Sequence, residues 1–140
     1  MRFVRYWLPP LVWAACVLIA SSDLFSAEHT GGIVQAILQR VIGHHVSPSA
    51  FAHIHFLVRK SAHLTEYGIL GALWLRAIRG ERRGWQLRWS AAAVALATVI
   101  AIIDETHQSF VASRSGTPVD VVIDCTGAAI AQAISWFCRP

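Results

Sequence analysis

Three stretches of this chain set ionisable side chains at helical spacing inside otherwise apolar surroundings. In Arg59-Lys60-Ser61-Ala62-His63-Leu64-Thr65-Glu66-Tyr67, the side chains of Lys60, His63 and Tyr67 fall on one helical face. Asp104 and Gln108 share a face in Asp104-Glu105-Thr106-His107-Gln108, and Asp120, Asp124 and Gly127 share another further on. An imidazole backed by a carboxylate is the usual acid/base pair near neutral pH. His63 with Asp120 or Asp124 is therefore the expected proton-moving pair, with Asp104 and Glu105 as further catalytic candidates. Arg59, Lys60 and Arg114 suit a phosphate or carboxylate, arginine offering a bidentate fork. Glu66, Tyr67 and Gln108 complete the expected substrate-binding set.

Two other readings compete. His63 and Glu66, at i and i+3, could join Asp104, Glu105, His107, Asp120 and Asp124 in an oxygen-rich metal site. Lys60 and Arg114 at the same level favour a negatively charged guest over a cation, so no metal and no cofactor is assigned. Alternatively the charges form an internal salt-bridge network that only locks helices together. Buried ion pairs are weak stabilisers, and an apolar or Ser/Thr interface would hold helices at lower cost. No motif marks a nucleophile: Ser61, Ser109, Ser113 and Ser115 qualify by location alone.

The elements that must position these residues are membrane helices. The chain has 140 residues, 55% hydrophobic against 14% charged, which is far from a soluble composition and indicates one membrane domain over 1–140. A net charge of +4 would suit a nucleic-acid partner only if the basic residues shared a soluble face. They punctuate apolar runs instead, and no nucleic acid is expected. Spans are read at about 6–22, 56–78, 89–108 and 119–138, each near the length needed to cross about 30 Å of hydrocarbon. The first also resembles a cleaved leader in its basic start and small residues near Ala20-Ser21-Ser22, but Pro9-Pro10 and Trp13 are atypical of one. The second has a charged first half that disguises it from a hydropathy window. The fold class is thus all-α with four transmembrane helices.

Arginine distribution sets the orientation. Arg2 and Arg5 precede the first span, Arg76, Arg79, Arg82, Arg83 and Arg88 crowd the loop between the second and third, and Arg139 follows the fourth. Both termini are expected on the cytoplasmic side. The polar residues then converge at the outer ends of spans two to four, where isolated charges are too costly to remain apart. The outer loop 23–55 holds an amphipathic pattern over 32–42, expected as a helix on the membrane surface. His29, His44, His45, His53 and His55 are read as ordinary histidines of that loop, and Trp7, Trp13, Trp74, Trp85, Trp89 and Trp136 as anchors and packing residues. Cys16, Cys125 and Cys138 lack metal spacing and are read as small buried side chains.

The ordered run Arg59-Lys60-Ser61-Ala62-His63-Leu64-Thr65-Glu66-Tyr67-Gly68, Asp104-Glu105-Thr106-His107-Gln108-Ser109-Phe110, Arg114, Asp120 and Asp124-Cys125-Thr126-Gly127 resembles the VanZ-like family of bacterial membrane proteins. Ser21-Ser22 resembles the serine ending of that family's first helix. The resemblance implies a four-helix protein of the bacterial cytoplasmic membrane and, for the founding member, low-level resistance to teicoplanin; it brings no defined reaction. The expected function is an outward-facing pocket that binds or processes an envelope component, foremost a phosphate-bearing lipid or lipid-linked cell-wall precursor. A non-catalytic binding or shielding protein is the alternative. A proton-coupled carrier ranks last, because the inner halves of the spans are nearly devoid of polar residues.

Overall fold

The computed structural model describes residues 2–22, 32, 34–37, 40–41, 47–111 and 116–138. Among them are four long helices and no strand: α1 (Arg2–Ala20), α2 (Pro48–Arg79), α3 (Leu87–Ser109) and α4 (Pro118–Phe137). Three of these are long and apolar enough to cross a membrane, over Phe3–Ala20, Leu87–Ser109 and Pro118–Phe137. The fourth, α2, is long enough but not apolar enough, because its first half carries Arg59, Lys60, His63 and Glu66.

That helix is nevertheless the centre of the bundle. α2 packs on α1, α3 and α4, its closest partner being α4, while α1 touches α2 and α3 only. Small residues make the approach possible. A Cβ on Gly127 would overlap the Leu64 carbonyl, and one on Gly71 would lie 3.0 Å from the Ala128 Cα, so backbone meets backbone along the α2–α4 seam. On α3 the fully buried face is Ala93, Ala97 and Ala101, one turn apart. Leu70 and Trp74 of α2 fill the space between, with Trp7 of α1 edge-on to Trp74. Leu8, Leu11, Val99, Ile102, Val122 and Ile130 point outward, and a bundle apolar on its outside suits hydrocarbon rather than water.

Local signals explain the boundaries. Ser47 caps α2 by accepting from the Ala50 amide, with Pro48 in the first turn where its missing N–H is not needed. Thr117 and Pro118 repeat this device at α4, the threonine hydroxyl accepting from the Asp120 amide at 3.3 Å. Gly80, at φ 59°, ends α2 while its amide bonds the Arg76 carbonyl. The five arginines cluster at this end, where the Arg82 guanidinium lies 5.1 Å from the Trp89 ring centre.

Several expectations need correction. The second helix starts at Pro48 rather than near 56, because Ser47-Pro48 is a helix start, so His53 and His55 belong to the helix and not to a loop. At 32 residues it extends about 48 Å, well beyond the thickness of hydrocarbon. Cys16 and Cys138 are exposed and Cys125 only half-buried, since each helix of so small a bundle turns one side outward. Trp13 is more than an anchor: its indole N–H donates to the Glu66 carbonyl at 3.0 Å, tying α1 to α2. Within the expected surface helix at 32–42, residues 32, 34–37, 40 and 41 are described and all are helical, with Ile37 and Val41 exposed. Its other positions, and His29, His44 and His45, lie outside the described residues.

Candidate functional site

The buried stripe of each helix changes character along its length. On α3, Ala93, Ala97 and Ala101 lead to Asp104, Glu105 and Gln108; on α4, Gln132, Ala128 and Gly127 lead back to Asp124 and Asp120; on α2, Trp74 and Leu70 lead back to Tyr67 and His63. The polar ends of all three stripes meet at one end of the bundle. Asp104, Asp124 and Gln108 are 0% exposed there, deeper than most of the aliphatic side chains.

Three successive turns of α2 each reach a different carboxylate. Lys60 pairs with Asp120, an ion pair whose ammonium keeps 20% of its side-chain exposure and lies over the Phe56 ring. His63 Nδ1 is 3.1 Å from Asp124 Oδ1, and an ionised carboxylate there makes Nδ1–H the donor. The Tyr67 hydroxyl donates to Asp104 Oδ2 at 3.2 Å. Helical spacing presented these three residues on one face, and the packing of α2 between α3 and α4 divides their partners between two helices.

Gln108 is the hub. Its Oε1 accepts from Arg59 Nη2 at 3.0 Å, and its Nε2 donates to Asp104 Oδ2 at 3.2 Å and to Ser21 Oγ at 3.3 Å. One amide therefore joins α2, α3 and the end of α1. Glu105 is held from the other side, its Oε2 accepting from the Thr117 amide at 2.9 Å. That bond needs the α3–α4 connection to lie against α3, and a Cβ on Gly116 would overlap the Glu105 carbonyl. Ser21 carried only a faint signal in the sequence, and Thr117 none as a ligand of Glu105. The helix-start pattern Thr117-Pro118 with Asp120 was the cue available for it.

The expected site residues divide as follows. Arg59, Lys60, His63, Tyr67, Asp104, Glu105, Gln108, Asp120 and Asp124 come together. Gly127 supplies the close approach that allows this. Glu66 is half-buried on a neighbouring face, and its backbone carbonyl accepts from the Trp13 indole N–H. Arg114 lies outside the described residues, as do Ser113 and Ser115. His107 and Ser61 are exposed, and the Ser109 hydroxyl bonds the Thr106 carbonyl of its own helix.

One difference from expectation changes the chemistry. Lys60 and Arg59 were read as open receptors for an anion, yet each already holds a partner within the chain. The buried centre is acidic. Donor atoms of His63, Asp104, Glu105 and Asp124 all lie within 4.8 Å of one another.

No curated protein and no solved structure matches this chain. The family model VanZ/LLP1 matches residues 6–139, taking in most of α1, the other three helices and every residue of the polar cluster, and the chain belongs to that family.

Proposed function

We propose that this VanZ/LLP1 protein is a four-span protein of the bacterial cytoplasmic membrane whose polar cluster faces the extracytoplasmic side and handles a phosphate-bearing lipid or lipid-linked envelope precursor. The observation that carries the reading is the placement of buried ionisable groups, contributed by three helices and joined to the end of the fourth, at a single end of an apolar bundle. Hydrocarbon penalises such groups by several kcal/mol each. In this reading α2 crosses despite its charges, because they face its neighbours. The arginines near 76–88 mark the opposite, cytoplasmic end.

Two features speak for a lipid. Lys60 and Arg59 are half-buried rather than enclosed, so they remain at the rim where a headgroup phosphate would arrive. A groove of about 420 Å³ between α2 and α4 begins at Leu64 and Gly127, within one turn of His63 and Asp124 along their helices, and runs past Ile130 to Ile134. Such a channel suits an acyl chain whose headgroup sits over the cluster. His63 then exchanges a proton with the bound headgroup while Asp124 orients the ring. A link to teicoplanin tolerance follows if the lipid is a cell-wall precursor.

A second reading, a structural lock, is favoured by the fact that Arg59, Lys60, His63 and Tyr67 all have partners within the chain. The two separate on the variants His63→Ala and Asp124→Ala. Lipid handling predicts altered co-purified lipid by mass spectrometry together with altered envelope lipid composition, precursor turnover or lipoglycopeptide susceptibility. If folded variants leave all of these unchanged, the lock stands and the lipid reading fails.

A further inference from the structure

Each of the three central carboxylates uses one oxygen and leaves the other without a partner. Asp104 Oδ2 takes the Tyr67 hydroxyl and the Gln108 amide, Asp124 Oδ1 takes His63, and Glu105 Oε2 takes the Thr117 amide. Asp104 Oδ1, Asp124 Oδ2 and Glu105 Oε1 are buried with no hydrogen-bond partner. The side chains are 0%, 0% and 5% exposed, so they lie away from bulk solvent. A network built only to lock helices together would have no use for an unpartnered oxygen on each of three clustered carboxylates.

Charge makes the same point. Three carboxylates this close repel, and of the described cations beside them Lys60 is already paired with Asp120, while Arg59 bonds the neutral amide of Gln108. His63 can neutralise one carboxylate at most. The remaining charge requires a compact cation or a shared proton.

We propose that His63, Asp104, Glu105 and Asp124 form a binding site for one divalent transition-metal ion. In a six-coordinate complex with bonds of about 2.1 Å, ligand atoms lie about 3.0 to 4.2 Å apart. The outer limit of 4.8 Å exceeds the widest of these separations by roughly half an ångström. One imidazole and three carboxylates select manganese, iron or zinc over calcium or magnesium, which prefer all-oxygen shells. Tyr67, Gln108 and Thr117 supply the outer hydrogen bonds that aim the ligands. An open groove of about 280 Å³ lined by Glu105, Thr106, Ser109 and Thr117 borders the cluster on the Glu105 side. The set departs from the sequence reading, which assigned no metal and whose metal alternative counted Glu66, His107 and Asp120. The proposal does not depend on lipid handling; with an ion bound His63 and Asp124 would serve as ligands, and the proton exchange proposed above belongs to the ion-free site.

The test is a Mn2+ titration of the full-length, chelator-stripped protein in detergent, read by loss of the free aquo-ion signal in electron paramagnetic resonance. Binding of one ion per chain is expected, with Asp104→Asn or Glu105→Gln weakening it by at least about tenfold. Thermal unfolding of the stripped proteins separates site from fold. The amide variants shed charge at nearly constant shape and should be no less stable than the parent, while added Mn2+ should stabilise only the parent. Absence of binding at millimolar Mn2+, or binding that these substitutions leave untouched, overturns the proposal. An infrared band of a protonated carboxylate that Mn2+ does not displace would also overturn it, showing that protons relieve the crowding.

Discussion

The two ends of this bundle are built from the same three helical stripes yet solve different problems. At the arginine-rich end, Ala93, Ala97, Gly71, Ala128 and Trp74 meet by shape alone, and dispersion between closely approached backbones holds them. At the other end the helices are joined by directed polar bonds: Lys60 to Asp120, His63 to Asp124, Tyr67 to Asp104, Gln108 to three partners. Among the described residues the apolar part admits few polar bridges, Gln132 Nε2 donating to the Gly71 carbonyl at 3.0 Å and Thr98 Oγ1 hydrogen-bonded with Cys125 Sγ at 3.1 Å. Stability is therefore expected to reside in the small-residue seam. The polar end contributes less to holding the fold than its number of bonds suggests, because each bond must first offset desolvation.

The largest effect should come from Gly127→Leu, which drives a side chain into the Leu64 carbonyl where backbone cannot yield. A loss of about 3 kcal/mol, the upper part of the range for overpacking, is expected in detergent unfolding. Survival of the variant with parental stability would mean that α2 and α4 are not held at the seam.

Next is the ion pair. Lys60→Ala leaves Asp120 buried and alone and should cost about 2 kcal/mol, reduced from the fully buried case because the lysine is partly exposed. Lys60→Met combined with Asp120→Leu removes both charges and should return to within about 1 kcal/mol of the parent. A double variant as unstable as the single one would show that the pair truly stabilises the polar end.

Tyr67→Phe tests one neutral-to-charged bond. Deleting the hydroxyl leaves Asp104 with Gln108 as its remaining donor, and a loss of about 1.5 kcal/mol is expected. The smallest effect has the opposite sign. A Cβ at Gly68 meets the Gly127 carbonyl at 3.5 Å, an ordinary contact, so Gly68→Ala should stabilise by up to about 1 kcal/mol through helix propensity. Measuring it beside Gly71→Ala, whose Cβ would crowd Ala128 at 3.0 Å, maps where along the seam the backbones touch.

Much of the polar end was legible before any coordinates. The spacing of Lys60, His63 and Tyr67, and of Asp120 with Asp124, needs only the period of a helix, and the cost of charge near hydrocarbon requires such faces to meet. The start of α2 is legible too, in Ser47-Pro48, although it lies a full two turns before the span that apolarity alone marks. Arg59 and Lys60 show the limit: as residue types they announce an anion site, and nothing in their spacing says that Gln108 and Asp120 already hold them.

By itself, then, the sequence determined the helices, the apolar exterior and the set of side chains that must share one depth, because periodicity and transfer cost are local properties of the chain. Pairing is not local. Which carboxylate faces His63, that Ser21 and Thr117 complete the network, and that three oxygens remain without partners depend on how α2 is rotated between α3 and α4. Backbone contact at Gly127 sets that rotation, and only the assembled bundle decides it.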